Sequence, residues 1–260
     1  MLELLDIVGE EMRSPASDAV HAIAAAARDR HPGTLAVLFY GSCLRSGSDE
    51  GGLVDLYLLV KSYRQAHRNP LSALGNRLLP PNVYYIETAF EGRTVRAKYA
   101  VVTLSALETL VTARTFHPYF WARFAQPTGL LWSDGEQTTG RVNKLLARAV
   151  NTLARESRPL LESYGGPQDL FIRAFAETYR TELRAEGASR AAELVAHYET
   201  RYRRLGAILL RELPNPGPRD RARAQRQWRG RRLLGKFLSV ARLTKAAFTF
   251  AGGQGYLLWK

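Results

Sequence analysis

The residues best placed to do chemistry are Tyr40-Gly41-Ser42 and Asp55. An apolar run, 35–40, ends at Gly41-Ser42, and a polar, glycine-rich loop follows from Arg45 to Gly52. A carboxylate, Asp55, then appears thirteen residues after Ser42, inside a second apolar run, 53–60. Transfer of a nucleotidyl group needs such parts. Glycine lets the backbone approach a triphosphate with no side chain in the way. Backbone N–H groups at a following helix start, with the Ser42 hydroxyl, suit phosphate oxygens. A carboxylate on the adjacent strand suits Mg²⁺, which bridges phosphates and offsets charge developing in the transition state. A buried, unpaired charge is costly, so Asp55 calls for a metal or a cationic partner. A plainer reading stays open here: Gly-Ser after an apolar run is common, and one Asp can sit at a strand's solvated end.

These residues need a frame. The alanine-rich stretch 18–30 predicts a helix capped by Ser17 or Asp18 and ended by Pro32-Gly33. Four strands are predicted, over 35–40, 53–60, 82–89 and 95–103, the last two joined by a turn at Glu91-Gly92. From Ser105 onward the apolar spacing is helical, over 105–114, 138–156, 168–186 and 189–212. Pro214, Pro216 and Pro218 punctuate the chain before its last segment. The layout predicts an α+β protein. A mixed sheet with helices occupies 1–135, a helical domain 136–213, and a basic amphipathic tail 214–260.

The charge is divided unevenly along the chain. The formal net charge is +13, yet residues 219–260 carry eleven Lys or Arg against one acid, Asp220. The body is close to balanced and the tail is a cationic arm that seeks phosphate. One cysteine, Cys43, allows no internal disulfide and reads as a small loop residue rather than a nucleophile. The first residues lack the basic flank of a signal or transit peptide. No run of 18 apolar residues predicts a spanning helix.

Further segments carry a resemblance. Tyr40-Gly41-Ser42 and Val54-Asp55-Leu56 are followed by Val83-Tyr84-Tyr85, Glu91-Gly92-Arg93 and Lys98-Tyr99-Ala100-Val101-Val102. Then come Tyr119 to Pro127 with Ala122-Arg123, Asp169-Leu170-Phe171, Tyr179-Arg180-Thr181-Glu182-Leu183-Arg184, and Ala196-His197-Tyr198 with Tyr202. In this order, over roughly 36–211, they resemble the mitochondrial-type phosphatidate cytidylyltransferases (CDP-diacylglycerol synthases, the translocator assembly and maintenance family). These belong to the nucleotidyltransferase superfamily. Many polymerase-β-like members of that superfamily carry a second acid two residues after the first. Here that position is Tyr57, and the cytidylyltransferase family lacks the acid there too. The chain departs from the family at Cys43 and Ala100, where Gly is usual, and at Glu182, where Asp is usual.

The resemblance implies a polymerase-β-like sheet domain and a Mg²⁺-dependent reaction of CTP with phosphatidate, giving CDP-diacylglycerol and pyrophosphate. It implies Asp55 on Mg²⁺, with Lys98 and Glu182 also catalytic. Tyr40, Gly41, Ser42, Arg123, Tyr179 and Arg184 would bind substrate. Structural roles compete: Lys98 as a sheet-edge surface residue, Glu182 as an intrahelical partner of Arg180 or Arg184, and the arginines as ordinary surface charges. Glu87 is a further candidate carboxylate on the strand before Lys98, without support from the family. His197 reads as a packing or capping residue.

In the tail, Arg229, Arg231, Arg232, Lys236, Arg242 and Lys245 accompany Leu234, Phe237, Leu238, Ala241 and Phe248. Trp228, Phe250, Tyr256 and Trp259 add aromatic bulk, and Gly252-Gly253-Gln254-Gly255 would end the helix. Such a helix suits the headgroup layer of an anionic membrane, the alternatives being a helix packed on the protein body or an arm that binds RNA. The expected location is therefore peripheral, on the cytoplasmic face of a membrane, the inner membrane in a bacterium. Nucleic acid is the less favoured partner. The competing readings are a nucleotidyltransferase with another acceptor (RNA, a small molecule or a protein) and a non-enzymatic basic protein that binds lipid or nucleic acid.

Overall fold

The computed structural model describes residues 2–162, 165–182 and 187–250, the side chains of 187, 188, 243 and 245–250 excepted. In chain order its elements are α1 (Leu2–Met12), α2 (Asp18–Asp29), β1 (Thr34–Tyr40), α3 (Ser42–Ser46), β2 (Val54–Val60), α4 (Tyr63–Ala66), α5 (Pro70–Leu78), β3 (Asn82–Phe90) and β4 (Arg93–Thr103). There follow α6 (Leu104–Leu110), α7 (Tyr119–Phe124), β5 (Gly129–Ser133), α8 (Glu136–Ser157), α9 (Pro167–Tyr179), α10 (Gly187–His197), α11 (Glu199–Glu212) and α12 (Pro218–Phe250). The class is α+β. The described strands form one mixed, open sheet in the order β3-β4-β2-β1-β5.

The chain divides into two compact units. The sheet unit takes residues 9–108, 127–143 and the described residues from Arg242. The helical unit takes residues up to Val8, then 109–126 and 144–241. Thus α7, which lies inside the stretch 1–135, belongs to the helical unit.

In the sheet unit, β1 runs antiparallel to β2 and β5, β2 parallel to β4, and β3 antiparallel to β4. All seven residues of β2 are buried, Asp55 among them, as befits a largely apolar central strand covered on both faces. One face packs under α2. Val20, Ile23 and Ala27 meet a cluster that includes Phe39, Leu56, Leu58, Tyr99 and Val101. Burial of each large member contributes up to about 1.5–3 kcal/mol. Ser17 caps α2, its hydroxyl accepting from the Val20 N–H at 3.3 Å. Glu91 and Gly92 both take positive φ, 47° and 76°. Two such residues between paired strands make the tight turn that matches strand twist.

Four strands lie where the sequence predicts them. β5 does not announce itself, because its five residues are an edge strand holding Gly129 and Trp132 with no period-two pattern. A short helix, Ser42–Ser46, follows the bend where a helix start is expected, and it takes Arg45 and Ser46 from the predicted loop.

In the helical unit, α9 ends at Tyr179, short of the predicted 186. The hydroxyls of Thr178 and Thr181 donate to the carbonyls of Phe175 and Thr178, competing with continuation of the helix. The predicted helix 189–212 is broken at Tyr198, whose φ and ψ of −112° and 42° leave the helical region. Gly206 lets α11 touch the start of α9, since a Cβ there would lie 2.2 Å from the Pro167 carbonyl oxygen. Rings of Phe171 and Tyr202 meet at 4.8 Å.

The first two-thirds of α12 also packs within the helical unit. Trp228 is 1% exposed and its indole N–H donates to the Glu156 carbonyl at 3.0 Å. Arg231 is 2% exposed, donates to the Phe116 carbonyl at 2.9 Å and pairs with the Glu156 carboxylate. Arg232 reaches Glu177 at 3.8 Å. At Trp228 and Arg231 the tail thus packs on the protein body, while Arg232, partly exposed, pairs loosely with Glu177. The side chains of Lys245, Phe248 and Phe250, and the stretch with Gly252, Gly253, Gln254, Gly255, Tyr256 and Trp259, lie outside the described residues.

Candidate functional site

Strand register builds the site. Tyr40 pairs with Asp55, Asp55 with Lys98, and Lys98 with Tyr85, so one row crosses four strands in the order β1, β2, β4, β3. Residues in such a row share a face of the sheet. The next row, Phe39, Leu56, Tyr99 and Tyr84, points to the opposite face, into the α2 core. The polar row therefore occupies the face opposite α2 because the strands alternate, not because any one residue seeks solvent.

At the end of β1 the chain bends through Gly41, whose φ is +88°. A Cβ at this position would lie 2.2 Å from Asp55 Oδ2 and 2.9 Å from its carboxyl carbon. Only glycine permits both the dihedral and the approach. The bend thus rests directly on the Asp55 carboxylate, and Ser42, exposed, opens the short helix α3. Asp55 is itself buried, and Lys98 Nζ lies 3.0 Å from its Oδ1. That oxygen is out of contact with water and accepts no well-aligned hydrogen bond, so the ammonium touches it without fully satisfying it. Tyr57, at the position where a second acid would fall, is 1% exposed and packs its ring 5.3 Å from that of Tyr40.

The donor set sets limits on a metal. Among the described residues no group of three His, Cys, Asp or Glu side chains comes together. One carboxylate with an incompletely bonded oxygen does not cage a cation. It fits a Mg²⁺ that keeps its waters and takes its remaining ligands from substrate phosphates. Glu87 does not join Asp55. It stands two rows away, opposite Arg96, and holds the Tyr85 hydroxyl and the Arg96 guanidinium, the latter at 3.1 Å. Those two partners, the tyrosine first, pull its carboxyl below the usual carboxylate range.

Cys43 follows the bend in α3, buried, with its thiol 3.5 Å from the Leu53 carbonyl oxygen. Burial foremost, then the nearby Asp55 charge, pushes the thiol's pKa up, which disfavours the nucleophilic thiolate.

The remaining sequence-derived residues lie in the helical unit. Arg123 sits in α7, Tyr179 ends α9 with its ring stacked on Phe175 at 6.4 Å, and Glu182 is half-buried just beyond. Arg184 lies outside the described residues. Arg180 pairs not with Glu182 but with Glu177, at 2.9 Å. Glu177 is 2% exposed and also meets Arg173 at 3.1 Å. The sequence does not single out this acid, because a Glu among helical arginines looks like any solvated pair.

A second buried aspartate, Asp49, also escapes the sequence reading. It accepts from the Ser17 hydroxyl at 2.7 Å and from Arg93 at 2.6 Å. The Arg93 hydrogen bond foremost holds its carboxyl below the usual range. Its signal in the sequence is only the polar loop that contains it. Compared with known proteins, the chain matches no family model and no curated protein.

Proposed function

We propose that the protein is a Mg²⁺-dependent phosphatidate cytidylyltransferase working at a membrane surface. The observation that carries this reading is the carboxylate of Asp55 lodged against the glycine bend, in the space a Cβ of residue 41 would fill. A bend free of side chain beside an acid whose buried oxygen is held only by a lysine ammonium supports a site for a nucleoside triphosphate and its cation.

Asp55 would hold Mg²⁺ together with phosphate oxygens of CTP, and the ion would supply neutralisation of charge on the reacting phosphates. The Gly41-Ser42 bend and the Ser42 hydroxyl would bind the triphosphate. Lys98, one strand from Asp55, offers a second cation to the same anion. In the reaction an oxygen of the phosphatidate phosphate bonds to the α-phosphorus of CTP as the bond to the β-phosphate bridge breaks, and pyrophosphate leaves with the electron pair. A phosphate monoester is already largely ionised near neutral pH. No side chain need remove a proton, so orientation and charge stabilisation carry the rate. The single acid, with Tyr57 where another could stand, suits a reaction that needs no base.

Membrane association is supported by the solvent face of α12. Leu233, Phe237 and Val240 are exposed there alongside Arg229 and Lys236. Among the described residues no helix is long and apolar enough to cross a membrane.

The test is direct. Purified protein with Mg²⁺ should convert CTP and phosphatidate vesicles to CDP-diacylglycerol and pyrophosphate, with CTP preferred in a nucleotide panel. Preference for ATP with indifference to phosphatidate would transfer the site to another acceptor. No pyrophosphate from any nucleotide would leave a basic binding protein.

A further inference from the structure

Helix α5 is built inside out. Its buried residue is polar: Asn76 has no exposed surface, donates to the Val101 carbonyl at 3.0 Å, meets His67 Nε2 at 2.9 Å, and accepts from the Asn82 N–H at 2.9 Å. Its leucines face the other way. Leu71, Leu74 and Leu78, spaced three and four apart on one helical face, are 75%, 52% and 73% exposed. An amphipathic helix ordinarily buries that stripe. Here hydrogen bonds of Asn76 and Asn82 hold the helix to the sheet, and the apolar stripe is left without cover among the described residues. Contiguous exposed leucines of this kind mark an interaction surface.

The charge around the stripe identifies what covers it. From 56 to 86 the sequence holds Lys61, Arg64, Arg68 and Arg77 and not one Asp or Glu. All four cations are exposed. Arg242 adds another, its guanidinium 3.5 Å from the Pro80 carbonyl in the loop that follows α5. Exposed leucines on a stretch whose only charged residues are cations match the interface of an anionic bilayer, where leucines enter the acyl boundary and arginines meet phosphate.

We infer that α5 is a second lipid-docking element, in addition to α12, that seats the sheet unit on an anionic membrane. The inference deepens the membrane-surface reading and rests on it for the nature of the acceptor. Val101, to which Asn76 is bonded, lies three residues from Lys98 on β4, about 10 Å along the strand.

The experiment uses the full chain with vesicles of phosphatidylcholine alone or mixed with phosphatidylglycerol. An environment-sensitive dye is attached at Leu74→Cys, Cys43 being buried. The dye should brighten and shift to the blue with anionic vesicles and stay unchanged with neutral ones. Leu71→Ser/Leu78→Ser should weaken anionic-vesicle binding at least about tenfold, and each of Arg64→Gln, Arg68→Gln and Arg77→Gln by about fivefold, with unchanged melting temperature. A dye that still reports water while the protein is vesicle-bound would overturn the inference and leave docking to α12 alone. So would a dimer, seen by light scattering, that the serine variant abolishes without altering vesicle binding. Docking through α5 without CDP-diacylglycerol formation would sink the enzymatic reading and spare this one. Turnover of short-chain phosphatidate with the dye left in water would do the reverse.

Discussion

Asp49 and Asp55 are two aspartates of one unit, equally hidden from water, at 8% and 9% exposure. They differ in how completely their oxygens are bonded. Asp49 has a hydroxyl on one oxygen and a guanidinium on the other, and together these tie the cap of α2 to the start of β4. Asp55 has one ammonium 3.0 Å from its Oδ1, close but not a well-aligned donor to that oxygen, and a glycine where a side chain would otherwise crowd its Oδ2. A satisfied buried acid stabilises a fold, whereas an incompletely satisfied one holds capacity for a ligand. Burial alone does not distinguish them.

The contrast is broken most severely at Asp55. Asp55→Ala should lower CDP-diacylglycerol formation by roughly a thousandfold or more, the scale of losing a preorganised electrostatic group. The melting temperature should change little, because Lys98 is partly exposed and can turn to water. Normal turnover in that variant would remove Asp55 from the site.

Gly41→Ala comes next. The added methyl meets the carboxylate at 2.2 Å and forces an alanine to a φ of +88°. Activity should fall about a hundredfold through displacement of the bend, and stability by about 1–3 kcal/mol. In a double-mutant cycle, Gly41→Ala should be less harmful to stability when Asp55 is already alanine. Strict additivity in that cycle would disprove the contact.

Asp49→Asn should do the opposite of Asp55→Ala, lowering stability by about 1–2 kcal/mol through weakened charged hydrogen bonds while turnover persists. A smaller effect follows from pH. The folded pKa of Asp49 lies below its ordinary value of 3.8. Its contribution is therefore complete above that value and is lost as pH falls toward and through the depressed one. Denaturation series should show a constant gap between the parent and Asp49→Asn above about pH 5 that closes as acid is added. A gap that widened in acid would contradict the assignment. Least of all, Cys43 should resist alkylation at neutral pH in the folded chain and react once unfolded, since burial keeps it a thiol.

How much of this was legible follows from the range of the forces. The runs 35–40 and 53–60, the bend at Gly41-Ser42, the turn at Glu91-Gly92 and the alanine-rich α2 are written in neighbouring residues, because strand alternation, glycine dihedrals and capping act over a few positions. Asp55 stood out for the same reason, as a lone charge in a hydrocarbon run. Asp49 did not, since Ser17 lies 32 residues before it and Arg93 44 residues after it. Glu177 and the arginines of α12 were illegible likewise, and an Arg-rich tail reads the same whether its charges face lipid or Glu156.

By itself, then, the sequence determined the α+β class, the sheet's central strands and the local chemistry of the bend, all products of short-range periodicity and backbone stereochemistry. Tertiary structure alone decided that Tyr40, Asp55, Lys98 and Tyr85 form one row, that Asn76 rather than its leucines anchors α5, and that Arg231 is buried. Those outcomes depend on register and on partners dozens of residues apart, and no local pattern encodes which distant group will arrive to complete a hydrogen bond.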